Sequence, residues 1–289
     1  MTHASSPPNL NRFDLTGKTA LVTGGTRGIG RAIAVALAEH GADVAITSRR
    51  GGSAAEDFLA HARSLGRRAW SFAQDLVEVE AVPEFAQRVW DEMGHVDVLV
   101  NNAGIAFFEK FDAITLERWR QVMAVNVEAV FFLSQQIAIR MIAQGVRGRI
   151  ITVSSTNALV AEAGQAHYNA SKGAIELITQ SLAIDLGRHG ITVNSINPGL
   201  IDTEIVLDMN IPPEFRAHSE AQIPLEHRWG TPEECAPAVV FLASAAGAYI
   251  TGQHIVIDGG LIAQQFPRDG FLPSIGQSGS SSTALAAFH

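Results

Sequence analysis

A phenol and an ammonium four residues apart are the first residues that could do chemistry. In the stretch AHYNASKGAIE (166–176), Tyr168 precedes Lys172 by one helical turn, and the chain has only one other tyrosine. Side chains at i and i+4 share a helix face. A phenol with its ordinary pKa near 10 is a poor acid–base catalyst at neutral pH. A neighbouring ammonium favours the phenolate, so the spacing predicts a tyrosine pKa lowered toward the working range. That spacing also arises by chance in many helices, so the pair needs company. Ser155 ends the apolar run RIITVSS thirteen residues earlier, where its hydroxyl could bond a substrate oxygen. Ser154 is the alternative if the strand register shifts by one, because neighbouring strand residues face opposite ways. A nucleophilic serine is the weaker reading, since no G-x-S-x-G elbow surrounds it and no histidine and acid form an evident triad.

A second chemistry sits near the amino end. VTGGTRGIG (22–30) joins an apolar run to a helical pattern. Gly24, Gly28 and Gly30 permit a tight turn and let a pyrophosphate approach the backbone N–H groups at a helix start. The spacing is G-x-x-x-G-x-G, and no Gly-Lys-Ser/Thr ending marks a triphosphate loop. A dinucleotide fold that takes NAD places an acid on the ribose about twenty residues further on. Here the run ends ITSRR, so Ser48, Arg49 and Arg50, with Arg27 from the glycine loop, offer a hydroxyl and guanidinium groups to a 2′-phosphate. NADP(H) is therefore the expected nucleotide, with NAD(H) admissible.

The elements that must position these groups are legible as runs apolar at nearly every position. KTALVTGG, DVAITS, HVDVLVNNAG, GRIITVSS, GITVNSINPG and GQHIVIDGG alternate with helix-length segments such as RAIAVALAEHG. This pattern describes an α/β fold, a doubly wound parallel sheet of Rossmann type in one domain. Ligands of such sheets bind beyond the carboxyl ends of the strands, where every motif above falls.

Composition removes other classes. Of 289 residues 47% are apolar and 17% charged, ample for a large core. The formal charge of −8 is scattered and forms no basic stripe for nucleic acid. No uninterrupted apolar run reaches membrane length, and the first residues lack the apolar stretch of a signal peptide, so no membrane partner is expected and the location read is cytoplasmic. A single cysteine, Cys235, excludes a disulfide framework and a thiolate metal cluster, and the ten histidines show no metal-ligand spacing. Cys235 follows Thr231, Pro232 and two glutamates at a helix start and reads as a buried structural thiol.

Together these motifs resemble the short-chain dehydrogenase/reductase family, in its single-domain branch. TGxxxGxG lies at Thr23–Gly30, NNAG at Asn101–Gly104, YxxxK at Tyr168–Lys172, and NPGLIDT spans 197–203, in family order over residues 14–262. The resemblance implies an NADP(H)-dependent oxidoreductase interconverting a carbonyl and a secondary alcohol. It implies a catalytic set of Asn126, Ser155, Tyr168 and Lys172. Tyr168 would pass the proton, Lys172 would hold the nicotinamide ribose, Ser155 would polarise the carbonyl, and Asn126 would stabilise a bent helix and a water chain. The implied cofactor contacts are Gly24, Thr26, Arg27, Gly28, Ile29, Gly30, Ser48, Arg49, Asp75, Leu76, Asn102, Ala103, Gly104, Tyr168, Lys172, Pro198, Gly199, Ile201 and Thr203, with no metal and hydride leaving the B-face. Residues 1–13 would be a tail and 263–289 a partly flexible extension, disordered past about 273 on composition.

The substrate is left open among 3-oxoacyl, sugar or polyol, and other ketones. Residues 156–165 and 203–224 would shape its pocket, the second as a lid bearing Ile205, Val206, Met209 and Phe215. Glu162 and Gln165 could bind sugar hydroxyls or face solvent. The chain resembles 3-oxoacyl-acyl-carrier-protein reductases, whose acidic partner would need a basic rim, with Arg147, Arg149, Arg188 and His189 as candidates. His167 is given no role. A nucleotide-binding sensor without turnover is the alternative function. A homotetramer or homodimer is expected, with Ile175, Ile178 and Leu182 as one apolar stripe of the Tyr168 helix.

Overall fold

Seven short runs become one parallel sheet in the computed structural model, which describes residues 11–49, 52–204 and 211–264. The strands are β1 (Thr19–Val22), β2 (Asp43–Ser48), β3 (Ala69–Ala73), β4 (Val98–Asn101), β5 (Arg149–Val153), β6 (Thr192–Pro198) and β7 (His254–Ile257). Their order is β3-β2-β1-β4-β5-β6-β7, every pair parallel. The order reverses between β1 and β4, and that crevice is where such sheets take ligands.

Helices α1 (Gly28–Glu39), α2 (Ser53–Ser64) and α8 (Pro232–Ala243) cover one face, and α3 (Val82–Met93), α5 (Ala129–Gln144) and α6 (Ala166–Gly187) the other. Strand alternation divides the core between them. Ala20 and Val22 join Ile33, Leu37, Phe58 and Val239 on the first face, while Leu21 joins Phe85, Leu133, Ile137 and Met141 on the second. Because both faces are covered, central strands need apolar residues throughout, which made them readable as continuous runs. Strand β3 escaped that reading. It is an edge strand of sequence AWSFA with one buried residue, so it presents no such run.

Two further helices complete the chain, α4 (Leu116–Met123) and α7 (Pro213–Glu220). The helical stretch Leu116–Gln144 has the length and mean apolarity of a membrane span, but half of its apolar window is buried within the protein. Residues 12–15 run along the bottom of the fold. Phe13 lies 6.3 Å from Phe241 between ring centroids, the Arg12 carbonyl accepts the Ala246 N–H, and Leu15 enters the core. Helix α8 begins where Glu234 accepts the Thr231 N–H at 2.8 Å. Cys235 is buried there, and burial pushes its thiol up to about 12, the behaviour of an inert core residue. Arg50, Ile205, Val206, Met209 and the extension from 265 lie outside the described residues.

Candidate active site

The glycine loop is built by cross-strand bonds at the switch point. The Thr23 hydroxyl accepts the N–H groups of Asn102 (2.9 Å) and Ala103 (3.0 Å), joining the ends of β1 and β4. Asn102 Nδ2 returns bonds to the carbonyls of Thr23 (2.9 Å) and Gly24 (3.2 Å). Gly24 and Gly28 take left-handed φ of +65° and +53°. A Cβ at Gly30 would lie 2.3 Å from both Asn102 Nδ2 and the Gly24 carbonyl, so only glycine allows the loop to close on its helix. Thr26 and Ile29 are partly buried in this loop, and Arg27 is exposed.

The segment after β6 folds back onto it. Pro198 ends the strand, Gly199 donates to the Ile257 carbonyl at 2.9 Å, and a Cβ there would strike Asp258 at 2.7 Å. Ile201 bridges to Gly230, which brings Thr203 to contact distance of a Cβ built on Gly28 (3.4 Å). Glu204 follows, and its carboxylate accepts the Gly28 N–H at 2.9 Å. An anion thus already uses the start of α1, so the residues fit a pyrophosphate. At the end of β2, Ser48 is partly buried and Arg49 exposed. Past β3, Asp75 accepts the Val77 N–H at 3.1 Å and Leu76 is buried, so the pair forms a short turn at the sheet edge.

The catalytic candidates meet at the ends of β4 and β5. Asn126 occupies a π-helical turn, Ala124–Glu128, between α4 and α5. Such turns mark functional sites often enough to be informative. Its side chain pairs with both backbone groups of Ile105 at 2.9 Å and donates to Ser171 Oγ at 3.1 Å, tying the bent helix to the loop after β4 and to α6. Lys172 is 6% exposed, and Nζ donates to the Val153 carbonyl at 2.9 Å. Gly104 packs alongside, where an added Cβ would stand 3.4 Å from Asn126 Oδ1 and 3.8 Å from Lys172 Nζ. The Ser155 hydroxyl favours the ionised form of the Tyr168 phenol, whereas Ser154 Oγ is buried with no hydrogen-bond partner among the described residues.

The electrostatics correct one expectation. Tyr168 is pushed up to about 12, chiefly by desolvation, with the Ser155 hydroxyl opposing and the Glu162 charge reinforcing the rise. Lys172 stands 5.5 Å from the tyrosine ring centroid, and its ammonium is aimed at Val153. Burial of the phenol therefore outweighs the i+4 cation in the protein by itself. Burial also lowers Lys172 to about 8, with Glu176 acting against that fall.

Glu176, one turn beyond Lys172, was not singled out by sequence reasoning. It is buried and accepts from Asn197 Nδ2 (2.8 Å) and Ser195 Oγ (3.2 Å), and pairs with His254 Nδ1. The same Asn197 Nδ2 reaches the Ser155 carbonyl at 3.1 Å. A carboxylate at i+8 from the tyrosine on one helix face was the available signal. His167 also has a place. It is fully buried, Nδ1 accepts the Tyr168 N–H, and Nε2 lies 3.3 Å from Glu109. Glu109 in turn receives Arg118 at 3.2 Å, and Arg118 stacks 3.8 Å from the Phe107 ring centroid.

Two substrate-side expectations change. Gln165 does not face solvent but is 3% exposed, its amide donating to Glu162 Oε2 at 2.7 Å. The proposed basic rim lies at the wrong end of the sheet. Arg149 begins β5 while Ser155 follows its other end, and Arg188 stands twenty residues beyond Tyr168, about 30 Å along the helix. Within 203–224, α7 is held by Arg216, which grips Asp202 and Glu220 and stacks 4.4 Å from the Trp229 ring centroid. Phe215 is exposed on it. Among the described residues no group of three or more His, Cys, Asp or Glu side chains could share a metal ion.

Comparison with known proteins gives a consistent picture. A family model described as enoyl-(acyl carrier protein) reductase matches residues 24–262. An L-rhamnose 1-dehydrogenase (NAD(P)(+)) of a Sphingomonas species is 41% identical over 247 residues, 86% of this chain and 97% of that protein. A 3-oxoacyl-acyl-carrier-protein reductase of Vibrio cholerae is 39% identical over 251 residues, 86% of this chain and 99% of that one. The crystal structure of a gluconate 5-dehydrogenase from Burkholderia cenocepacia, in complex with NADP and tartrate, matches at TM-score 0.83 and 36% identity, over 88% of this chain and 99% of that chain.

The Glu204 contact makes a prediction about the glycine loop. Its carboxylate competes with any phosphate for the Gly28 N–H, so Glu204→Gln should tighten NADPH binding about two- to fivefold. Isothermal titration reads this directly, and an unchanged Kd would mean that the contact does not compete.

Proposed function

The chain belongs to the short-chain dehydrogenase/reductase family, oxidoreductases acting on CH–OH groups, and on that footing we propose that it interconverts a carbonyl and a secondary alcohol using NADP(H), with Tyr168 as acid and base. The observation that carries this reading is a buried Lys172, bonded to the Val153 carbonyl and 5.5 Å from the Tyr168 ring, beside a Ser155 hydroxyl that acts on the phenol. A bound nicotinamide nucleotide supplies hydride in reduction and accepts it in oxidation.

The protein's own groups handle the proton. A phenol held up to about 12 is fully protonated at neutral pH, the form that donates to a carbonyl oxygen. The Ser155 hydroxyl, on the same side of the site, orients the same substrate oxygen. In the oxidative direction Tyr168 must accept the alcohol proton, and the Lys172 ammonium supplies the nearby positive charge that favours the phenolate. Lys172 also holds the nicotinamide ribose while protonated. Asn126 keeps the Ile105 loop and the π turn in register behind it.

Ser48 and Arg49, with Arg27, receive the 2′-phosphate, and the NADP-bound relative supports that preference. The Sphingomonas relative is named for both nucleotides, which keeps NAD(H) admissible. Asp75 and Leu76 border the adenine, and Pro198, Gly199, Ile201 and Thr203 the nicotinamide end. We further propose a cytoplasmic homotetramer or homodimer. Large apolar side chains are exposed on α5 (Phe132, Ile139 and Ile142) and α6 (Leu177 and Ile184), which supports association.

Three measurements test the reading. Tyr168→Phe should lower kcat by about 10²–10⁴-fold while NADPH still binds. Retained turnover removes Tyr168 from the chemistry. Replacing Ser48 with Asp and Arg49 with Ala should move the preference from NADPH toward NADH, and an unmoved ratio of kcat/KM values contradicts the phosphate assignment. Reductive activity should fall as pH rises through about 8, where Lys172 loses its proton. Because Glu176 opposes that loss, Glu176→Gln should shift the fall to lower pH, and an unshifted profile would show that Glu176 does not act on Lys172.

A further inference from the structure

The Ser155–Tyr168 centre is joined to a second polar layer that the hydride chemistry does not use. Ser155 Oγ accepts the Asn157 N–H at 3.1 Å and donates to its Oδ1 at 3.4 Å. Asn157 Nδ2 reaches Asn169 Oδ1 (2.9 Å) and, more weakly, Glu162 Oε2 (3.4 Å). Gln165 Nε2 holds the same Glu162 oxygen at 2.7 Å, and Asn169 Nδ2 holds the Glu162 carbonyl at 2.8 Å. The Glu162 carboxylate is thus fixed at one oxygen and through its backbone. It is partly exposed and close enough to Tyr168 for its charge to act on the phenol.

Three arginines in the segments at this end of the sheet are already engaged. Arg118 pairs with Glu109, Arg216 with Asp202 and Glu220, and Arg228 with Glu226 and Glu234. Lys110, on the loop that carries Glu109, is solvent-exposed. The described residues of the lid segment, 203–204 and 211–224, carry Glu204, Glu214 and Glu220 against Arg216. A substrate carboxylate, phosphate or acidic carrier protein would meet a fixed negative charge while these three guanidinium groups are already paired, and the basic candidates lie at the far end of α6. A carboxylate oxygen is the strongest acceptor available for hydroxyl donors, and neutral hydroxyls carry no charge for it to repel.

We propose that the substrate is a neutral polyhydroxylated carbonyl compound or its cyclic hemiacetal, a free sugar and not a sugar acid or an acyl thioester, selected by Glu162 accepting its hydroxyl groups. The inference rests on the oxidoreductase reading above. In oxidation of such a hemiacetal the carbinol carbon would give its hydride to a bound oxidised nicotinamide nucleotide, which is reduced, and its hydroxyl proton to the Tyr168 phenolate. A lactone carbonyl remains, and nothing else is consumed. Glu162 and Gln165 orient the ring hydroxyls and take no part in the proton transfer.

The test measures kcat and KM of the full chain with NADP(H) on neutral aldoses including L-rhamnose, on D-gluconate, and on an acetoacetyl thioester. The neutral sugars should exceed D-gluconate and the thioester at least tenfold in kcat/KM. Glu162→Gln should raise KM for the preferred sugar about tenfold with kcat changed less than threefold. Glu162→Arg should bring D-gluconate level with the sugar or ahead of it. A melting curve on each variant separates misfolding from lost recognition. Preference of the native chain for D-gluconate or the thioester, failure to turn over any neutral sugar, or an unchanged sugar KM in a folded Glu162→Gln protein would each overturn the proposal. Turnover of another substrate that is lost in Tyr168→Phe would leave the oxidoreductase reading intact, whereas no Tyr168-dependent turnover of anything would remove both.

Discussion

A lysine ammonium taken out of water is the constraint around which this site is organised. Burying such a charge is costly unless hydrogen bonds and an opposite charge compensate it. Lys172 finds a carbonyl at the end of β5 and a carboxylate one turn along its own helix. That carboxylate needs partners in turn, and β6 supplies Ser195 and Asn197 while β7 supplies His254. Asn197 passes the connection back to the Ser155 carbonyl. The ends of β5, β6 and β7 are therefore held in register with the start of α6 by groups that answer to one buried cation.

Burial drives the two central groups in opposite directions, each toward its neutral form. The phenol rises to about 12 and the ammonium falls to about 8. A hydroxyl that stays protonated and an amine that titrates near physiological pH divide the work between them. One is a ready proton donor, and the other is an adjustable charge beside it. Glu162 and Glu176 flank this pair from opposite ends of the polar network, the first reinforcing the rise in Tyr168 and the second restraining the fall in Lys172. The two carboxylates thus act on different partners.

The sheet was legible because its central strands are covered on both faces, so DVAITS could be read to its limits as β2 and TVNSINP lies buried throughout as β6. The edge strand β3 was not, since half-exposed residues carry no such run. Asn126, Ser155, Tyr168 and Lys172 do converge, as their motifs implied, at the carboxyl ends of β4 and β5. What the one-dimensional reading lacked was desolvation. An i+4 spacing shows that a cation can approach a phenol, but not how much water both have lost, so the sign of the tyrosine shift came out reversed. For the same reason Glu176 was not singled out and His167 was given no role, because a glutamate or histidine on a helix is ordinarily solvated. The packing of β6, β7 and the Glu109 loop against α6 is what encloses them.

The most direct measurement is the titration of Lys172 itself. The chain contains three lysines, Lys18, Lys110 and Lys172, so carbon-13 labelling of lysine side chains gives a spectrum simple enough to assign with one Lys172→Arg control. The account predicts one resonance titrating near pH 8 in the folded protein, apart from the other two. Three resonances all titrating above pH 10 would contradict it, because the ammonium would then be a solvated surface charge and not the buried cation around which the site is built.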